Sequence, residues 1–141
     1  MHKVMTRFRA RYNETDQMGV VHHSQYVNWC EVARTDWIKQ FGLTYRQVEE
    51  DGLMIPVIGV ELHYHRPARY DDPILIESSL KAYDGVKMIF QYRILNEVSK
   101  EQLAEATTAH CWTDKNMRPV ALRKKRPAMH HLLLEAIDTA L

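Results

Sequence analysis

The chain has little that would anchor, cross-link or subdivide it. Its 141 residues include only two cysteines, five glycines and five prolines. Cys30 and Cys111 lie inside apolar patterns far apart in sequence, so they read as small buried hydrophobes rather than a disulfide, which fits a reducing compartment. No stretch approaches the roughly 18 apolar residues that a membrane span needs. Residues 1–10 are basic and lack an apolar run, so no signal peptide is visible and the expected setting is the cytoplasm. Charge of one sign is lacking too: 19 Lys and Arg face 18 Asp and Glu, and nothing draws the chain as a whole to nucleic acid or an anionic membrane. Without internal repeats, low-complexity tracts or a long linker, residues 1–141 are expected to form one domain, large enough to bury about two thirds of its unfolded surface.

Several chemistries fall with missing motifs. No glycine is followed two positions later by serine, which removes the nucleophile elbow of serine hydrolases. There is no G-x-G-x-x-G and no Walker loop. The eight histidines include the pairs His22-His23 and His130-His131 and the alternating His63 and His65, but none joins a zinc-type spacing and no cysteine pair supports one. They are expected on surfaces and strand edges, with no metal bound. Cys30 falls on the apolar side of a predicted helix and reads as core rather than nucleophile.

What is present centres on residues 12–41, a polar loop followed by one long helix. Gly19 suits a tight turn, and Ser24 is the expected N-cap. Tyr26, Cys30, Ala33, Trp37 and Phe41 recur at helical spacing before Gly42, while Asn28, Glu31, Thr35 and Lys39 form a polar stripe. Val27, Trp29, Val32 and Ile38 widen the apolar face, which predicts a helix wrapped on most sides. Residues 6–12 alternate as a strand with Thr6, Phe8, Ala10 and Tyr12 inward and arginines outward. A short helix is expected over 44–51, capped by Thr44 and stopped at Gly52. Further strands are predicted over 53–66, 74–83, 88–95 and 103–113, the third of these five-strand members placing Ile74, Ile76, Ser78, Leu80 and Ala82 on one face, with a hairpin at Asp84-Gly85. A basic exit over 114–125 leads to an amphipathic helix over 128–141, its apolar positions Met129, Leu132, Leu133, Ala136, Ile137 and Ala140. The class is α+β: a five-stranded antiparallel sheet around one long helix, plus a C-terminal helix.

Asp16 is the candidate for chemistry. It lies in the loop that leads into the long helix, whose amino end offers free N–H groups and partial positive charge for a developing oxyanion. A carboxylate there can attack a carbonyl or activate water. The same residue also reads as an ordinary turn or capping aspartate.

The segment Y-N-E-T-D-Q-M-G-V-V-H-H-S-Q-Y (12–26) closely resembles the signature of the hotdog-fold acyl-CoA thioesterases, of the 4-hydroxybenzoyl-CoA thioesterase and Tol-Pal-associated types. The likeness continues through R-P-A-R-Y-D-D-P (66–73), D-G-V-K-M-I-F-Q-Y (84–92) and R-P-V (118–120). It implies the hotdog fold, a homodimer with sheets joined side by side that in some members doubles to a tetramer, and hydrolysis of an acyl-CoA with no separate cofactor. It makes Asp16 the catalytic carboxylate, as nucleophile or general base, and the His23 amide the group that polarises the thioester carbonyl. It sets Gly19, Val21, His22 and Tyr26 against the substrate, with His22 standing where close relatives often carry tyrosine and Gln25 where a smaller or amide residue is commoner. Glu31 and Arg34 match the family helix, and their spacing of three suits a structural pair on its polar stripe. Coenzyme A phosphates need cations, for which Lys87, Arg118, Arg123 and Lys124, with Lys125 and Arg126, are candidates; the same run also reads as a solvated face. The alternative function is a non-catalytic acyl-CoA-binding or regulatory module on the same fold.

Overall fold

The computed structural model describes residues 3–137. Five strands, β1 (Val4–Arg9), β2 (Val57–Tyr64), β3 (Pro73–Tyr83), β4 (Lys87–Asn96) and β5 (Gln102–Cys111), form one antiparallel sheet in the order β1-β3-β4-β5-β2. β3, β4 and β5 follow one another by tight turns. β1 and β2 occupy opposite edges, and the chain travels from one edge to the other through α1 (Gln25–Lys39) and a short α2 (Tyr45–Glu50). A connection that must span the sheet lays α1 across one face, and the sheet curls around it. This is the hotdog arrangement and the expected α+β class.

The apolar spacing of α1 accounts for what it buries. Tyr26, Trp29, Cys30, Ala33, Trp37 and Ile38 all face inward. Trp37 is fully enclosed, with Phe90 of β4 edge-on at 5.0 Å, and Trp29 meets Phe8 of β1 at 5.2 Å. Val27 and Val32 depart from expectation: they are 40% and 48% exposed, so the sheet wraps less of the helix than its composition suggests. Arg34 also departs, turning into the core instead of pairing with Glu31 on a polar stripe.

Elsewhere most local signals act as read, with several shifts, among them a second strand that runs only over Val57–Tyr64 rather than 53–66. Thr44 and Gln47 form a reciprocal capping box at the start of α2, and Gly52 ends that segment with φ +79°. The first strand stops at Arg9; Tyr12 enters a single 3-10 turn (Tyr12–Glu14) and is 76% exposed rather than inward. A bulge between Leu80 and Ala82 shifts the phase of β3, so Ala82 is exposed and Tyr83 buried. The basic exit contains a short helix, α3 (Leu122–Lys125), and α4 (Pro127–Ala136) packs Met129, Leu133 and Ala136 while Leu132 stays 41% exposed. Ile137 leaves α4 to bridge Leu80, and Ala140 lies outside the described residues.

Both cysteines are buried and free, and burial pushes the Cys30 thiol up to about 12. His110 contradicts the expectation of surface histidines. It is fully buried on β5, where burial holds its ring down to about 4. Among the described residues no group of three or more His, Cys, Asp or Glu is placed to hold a metal, and no helix is long and apolar enough to cross a membrane.

Candidate active site

The site is built by a loop that folds back on itself before α1. Thr15 bridges Val21, and between them Asp16 N–H donates to the Val20 carbonyl at 2.9 Å while Gly19 N–H donates to the Asp16 carbonyl at 3.0 Å. Gly19 closes this turn at φ +78°, a conformation glycine takes without steric cost. Val21 is buried and tied to the Ala68 carbonyl at 2.8 Å, which fixes the loop to the segment after β2.

Asp16 is half-buried at the tip of this loop. One carboxylate oxygen accepts the Met18 N–H at 2.8 Å, an Asx turn that holds the side chain. The second oxygen has no donor among the described residues. One oxygen thus serves the turn, while the other is engaged by no donor among the described residues.

Two residues beyond Val21, His23 leads into α1. Its backbone N–H is given to no protein acceptor among the described residues, whereas its neighbours are engaged: His22 N–H with the Glu14 carbonyl at 2.8 Å and Gln25 N–H with the His22 carbonyl at 3.0 Å. A free amide at a helix amino end is a ready donor to an oxyanion. The His23 carbonyl accepts the Tyr64 hydroxyl at 2.9 Å, which orients this peptide from β2. Ser24 does not cap the helix with its hydroxyl. Its φ/ψ of −66°/−24° is already helical, and its hydroxyl lies 2.8 Å from His22 Nδ1, which also receives the Ser24 N–H at 3.2 Å. That leaves Nε2 of His22 to carry the ring proton. The His22 and His23 rings lie together at 4.1 Å, and His23 is exposed. Tyr26 is buried behind them, its hydroxyl accepting the Ala68 N–H at 3.3 Å, its own proton held more tightly by burial.

Two positioning residues escape the sequence. Glu14 is a buried carboxylate that accepts the Trp29 indole N–H at 2.9 Å and the Arg11 N–H at 2.7 Å, tying the loop to the core face of α1. Tyr64 and His23 are separated by 41 residues. In both cases the partner lies too far along the chain for any local pattern to announce it, although an acid immediately before the loop was visible as such.

A shallow cleft of about 260 Å³ opens between Val21, His23, Tyr26, Tyr64 and Arg66. Of the residues expected at the site, Val21, His23 and Tyr26 line it, while Asp16, Gly19 and His22 do not. Lys87, Arg118, Arg123 and Lys124 are not part of it. They cluster where β5 ends, with Lys87 opposite Cys111 and Leu122 N–H on the Gly85 carbonyl, while the cleft lies where β5 begins, with His65 N–H on the Leu103 carbonyl. Along a ten-residue strand the two ends stand about 30 Å apart.

A family model described as the Thioesterase-like superfamily matches residues 10–137. The chain belongs to this superfamily. It is 34% identical over 131 residues to YneP of Bacillus subtilis (strain 168), covering 92% of this chain and 94% of that protein. It is 31% identical over 127 residues to the acyl-CoA thioesterase YbgC of Haemophilus influenzae, covering 88% and 92% respectively. Among solved structures, the DHNA-CoA thioesterase from Staphylococcus aureus superposes with a TM-score of 0.91 at 29% identity, over 96% of this chain and 91% of that one. The hotdog domain seen here is thus a member of a superfamily of thioester hydrolases.

Proposed function

We propose that this protein hydrolyses an acyl-CoA thioester to a free acid and CoA, with Asp16 as the reacting carboxylate and the His23 amide as oxyanion donor. The observation that carries this reading is the pairing, in one short loop, of a carboxylate oxygen without a donor and a helix-end N–H without an acceptor. Relatives named acyl-CoA thioesterases support the substrate class.

The thioester carbonyl oxygen rests on the His23 N–H, with the dipole of α1 behind it. Asp16 then follows one of two routes. As nucleophile it attacks the carbonyl carbon, the C–S bond breaks, the CoA thiolate takes up a proton, and water cleaves the resulting anhydride. As general base it takes a proton from water, which attacks in its place. Repeated turnover in ¹⁸O-labelled water tests the nucleophilic route: label entering the Asp16 side chain marks an anhydride opened at the Asp16 carbonyl, whereas general-base catalysis labels only the product acid.

The same reading includes a homodimer. β2 is an edge strand whose outward side carries no partner strand, and Val57, Ile58 and Val60 on it are 48%, 53% and 45% exposed. Antiparallel pairing of two β2 edges sets the β2 start of one copy beside the β2 end of the other, and so draws the basic cluster toward the partner's cleft, where CoA phosphates need it. Light scattering should give twice 16.6 kDa, or a further doubling if dimers pair.

Replacing Asp16 by Asn keeps the shape and removes the charge. Thiol release from acyl-CoA should fall by about 10²–10⁴-fold. Tight acyl-CoA binding by the parent without any turnover would favour the binding-module alternative.

A further inference from the structure

Arg34 is out of place for a charged residue. It sits in the middle of α1, 7% exposed, and its guanidinium meets no carboxylate: among the described residues it joins no ion pair. Nε donates to the Tyr45 hydroxyl at 2.8 Å and Nη1 to the Tyr92 hydroxyl at 3.2 Å, while Nη2 has no acceptor there. Both partners are neutral phenols. The network behind Tyr92 is neutral too, running to Thr108 at 2.7 Å and from Thr108 to His110 at 2.8 Å. Burial works against this cation, and the Tyr92 and Tyr45 hydroxyls, rather than any carboxylate, are what hold it charged.

The guanidinium also borders a cavity of about 370 Å³ between α1, α2 and the segment that leads into β2, with Val48, Leu53, Ile55 and Pro56 as apolar walls. Glu31 and Glu49 stand at its mouth and are exposed to water. This cavity and the cleft at His23 both take residues from α1 and β2. Val27, Glu31 and Arg34 follow one another at spacings of four and three on one stripe of α1, while β2 supplies Tyr64 to the cleft and Val57 to the cavity. Val27 on that stripe and Val60 on β2 are 40% and 45% exposed. From Gln25 to Arg34 the helix runs about 14 Å, at 1.5 Å per residue.

We propose that this cavity receives the far end of the acyl group and that Arg34 selects substrates whose far end is a carboxylate, so that the preferred substrates are CoA monothioesters of dicarboxylic acids. The inference rests on the thioesterase reading above. The distal carboxylate accepts from the terminal guanidinium nitrogens, supplying the anion that the protein itself withholds, in the forked geometry that arginine offers. A methyl-ended chain of the same length leaves the charge uncompensated.

The test is a matched series of saturated acyl-CoAs ending in methyl or in carboxylate, assayed for thiol release over several chain lengths. At the length that reaches Arg34, kcat/KM should favour the carboxylate-ended member by about tenfold or more, carried mainly in KM. Arg34→Met should erase that preference and Arg34→Lys restore part of it. A parent enzyme that does not favour the carboxylate-ended member overturns the proposal, and so does an Arg34→Met enzyme that keeps the preference. If Arg34→Met fails to fold, the parent's ratio alone decides. If neither series is hydrolysed the thioesterase reading fails instead, and calorimetric affinities of the same pairs then decide the role of Arg34.

Discussion

The amino end of α1 and its middle treat polar groups in opposite ways. At the amino end, Asp16 keeps one oxygen and His23 its N–H without a protein partner among the described residues, with Asp16 half-buried and His23 exposed. Two to three turns along, Arg34, Tyr92, Thr108 and His110 are all buried and joined in one chain of hydrogen bonds, with only Arg34 Nη2 and His110 Nδ1 in it left without a partner among the described residues. Unsatisfied groups at a helix end cost little, because solvent serves them until a ligand does. Buried groups must be satisfied by the protein, and each one left over is expensive. The two places therefore differ in what serves their polar groups, and substitutions in them should change different observables.

The largest effect separates them at once. Asp16→Asn should remove about 10²–10⁴ of the rate, equivalent to roughly 3–5 kcal/mol of barrier, yet leave the urea midpoint nearly unmoved because the Asx turn to Met18 survives. A large loss of stability in this variant would make the loop tip a structural element like the helix middle.

Next in size is acid sensitivity, which should come from the middle. Burial holds His110 neutral down to about 4, against 6.5 for an ordinary histidine. Between these values the unfolded chain binds the extra proton, so stability is complete above about pH 6.5 and falls with acid by up to roughly 3 kcal/mol near pH 4. Urea midpoints at pH 7 and pH 4.5 should differ more in the parent than in His110→Asn. An equal difference in both would show that the ring already has a partner for its charged form.

Glu14 tests the boundary, since it belongs to the loop but is buried like the middle. Glu14→Gln turns an N–H₂ toward the Trp29 indole N–H or the Arg11 N–H, and should cost about 1–3 kcal/mol of stability. Activity should fall less than in Asp16→Asn and recover in part at lower temperature. Loss of rate without loss of stability would assign Glu14 to the chemistry.

The contrast also explains what could be read from the chain. Elements specified by near neighbours were legible: the Thr44–Gln47 capping box, the stop at Gly52, the Asp84-Gly85 hairpin and the apolar spacing of α1. Asp16 was legible as a turn residue before the helix because its hydrogen bond to Met18 is local. Glu14, Tyr64 and Arg34 were not, since their partners Trp29, His23, Tyr45 and Tyr92 arrive from 11 to 58 residues away. Arg34 in particular obeys the spacing of a surface pair with Glu31 and is turned inward by phenols that no helical period reveals. The basic cluster was visible as a composition, but strand order decides which end of the sheet it occupies, and strand order is set by the whole sheet.

The smallest expected effect bears on whether the amino end of α1 is open at all. Ser24 has the residue type and the place of an N-cap, and loss of such a cap typically costs about 1 kcal/mol. Here its backbone is already helical and its hydroxyl is engaged with His22 Nδ1 at 2.8 Å, so no orphan amide depends on it. Ser24→Ala should therefore shift stability by less than about 0.5 kcal/mol, as for an ordinary surface change. It should act instead on the imidazole, releasing the His22 ring and raising KM modestly with little change in kcat. A full capping loss on urea titration would mean that the hydroxyl turns to the helix in solution and occupies the first-turn amides. The first-turn amides would then be closed before any thioester arrives, and the proposed oxyanion site would rest on the His23 N–H alone.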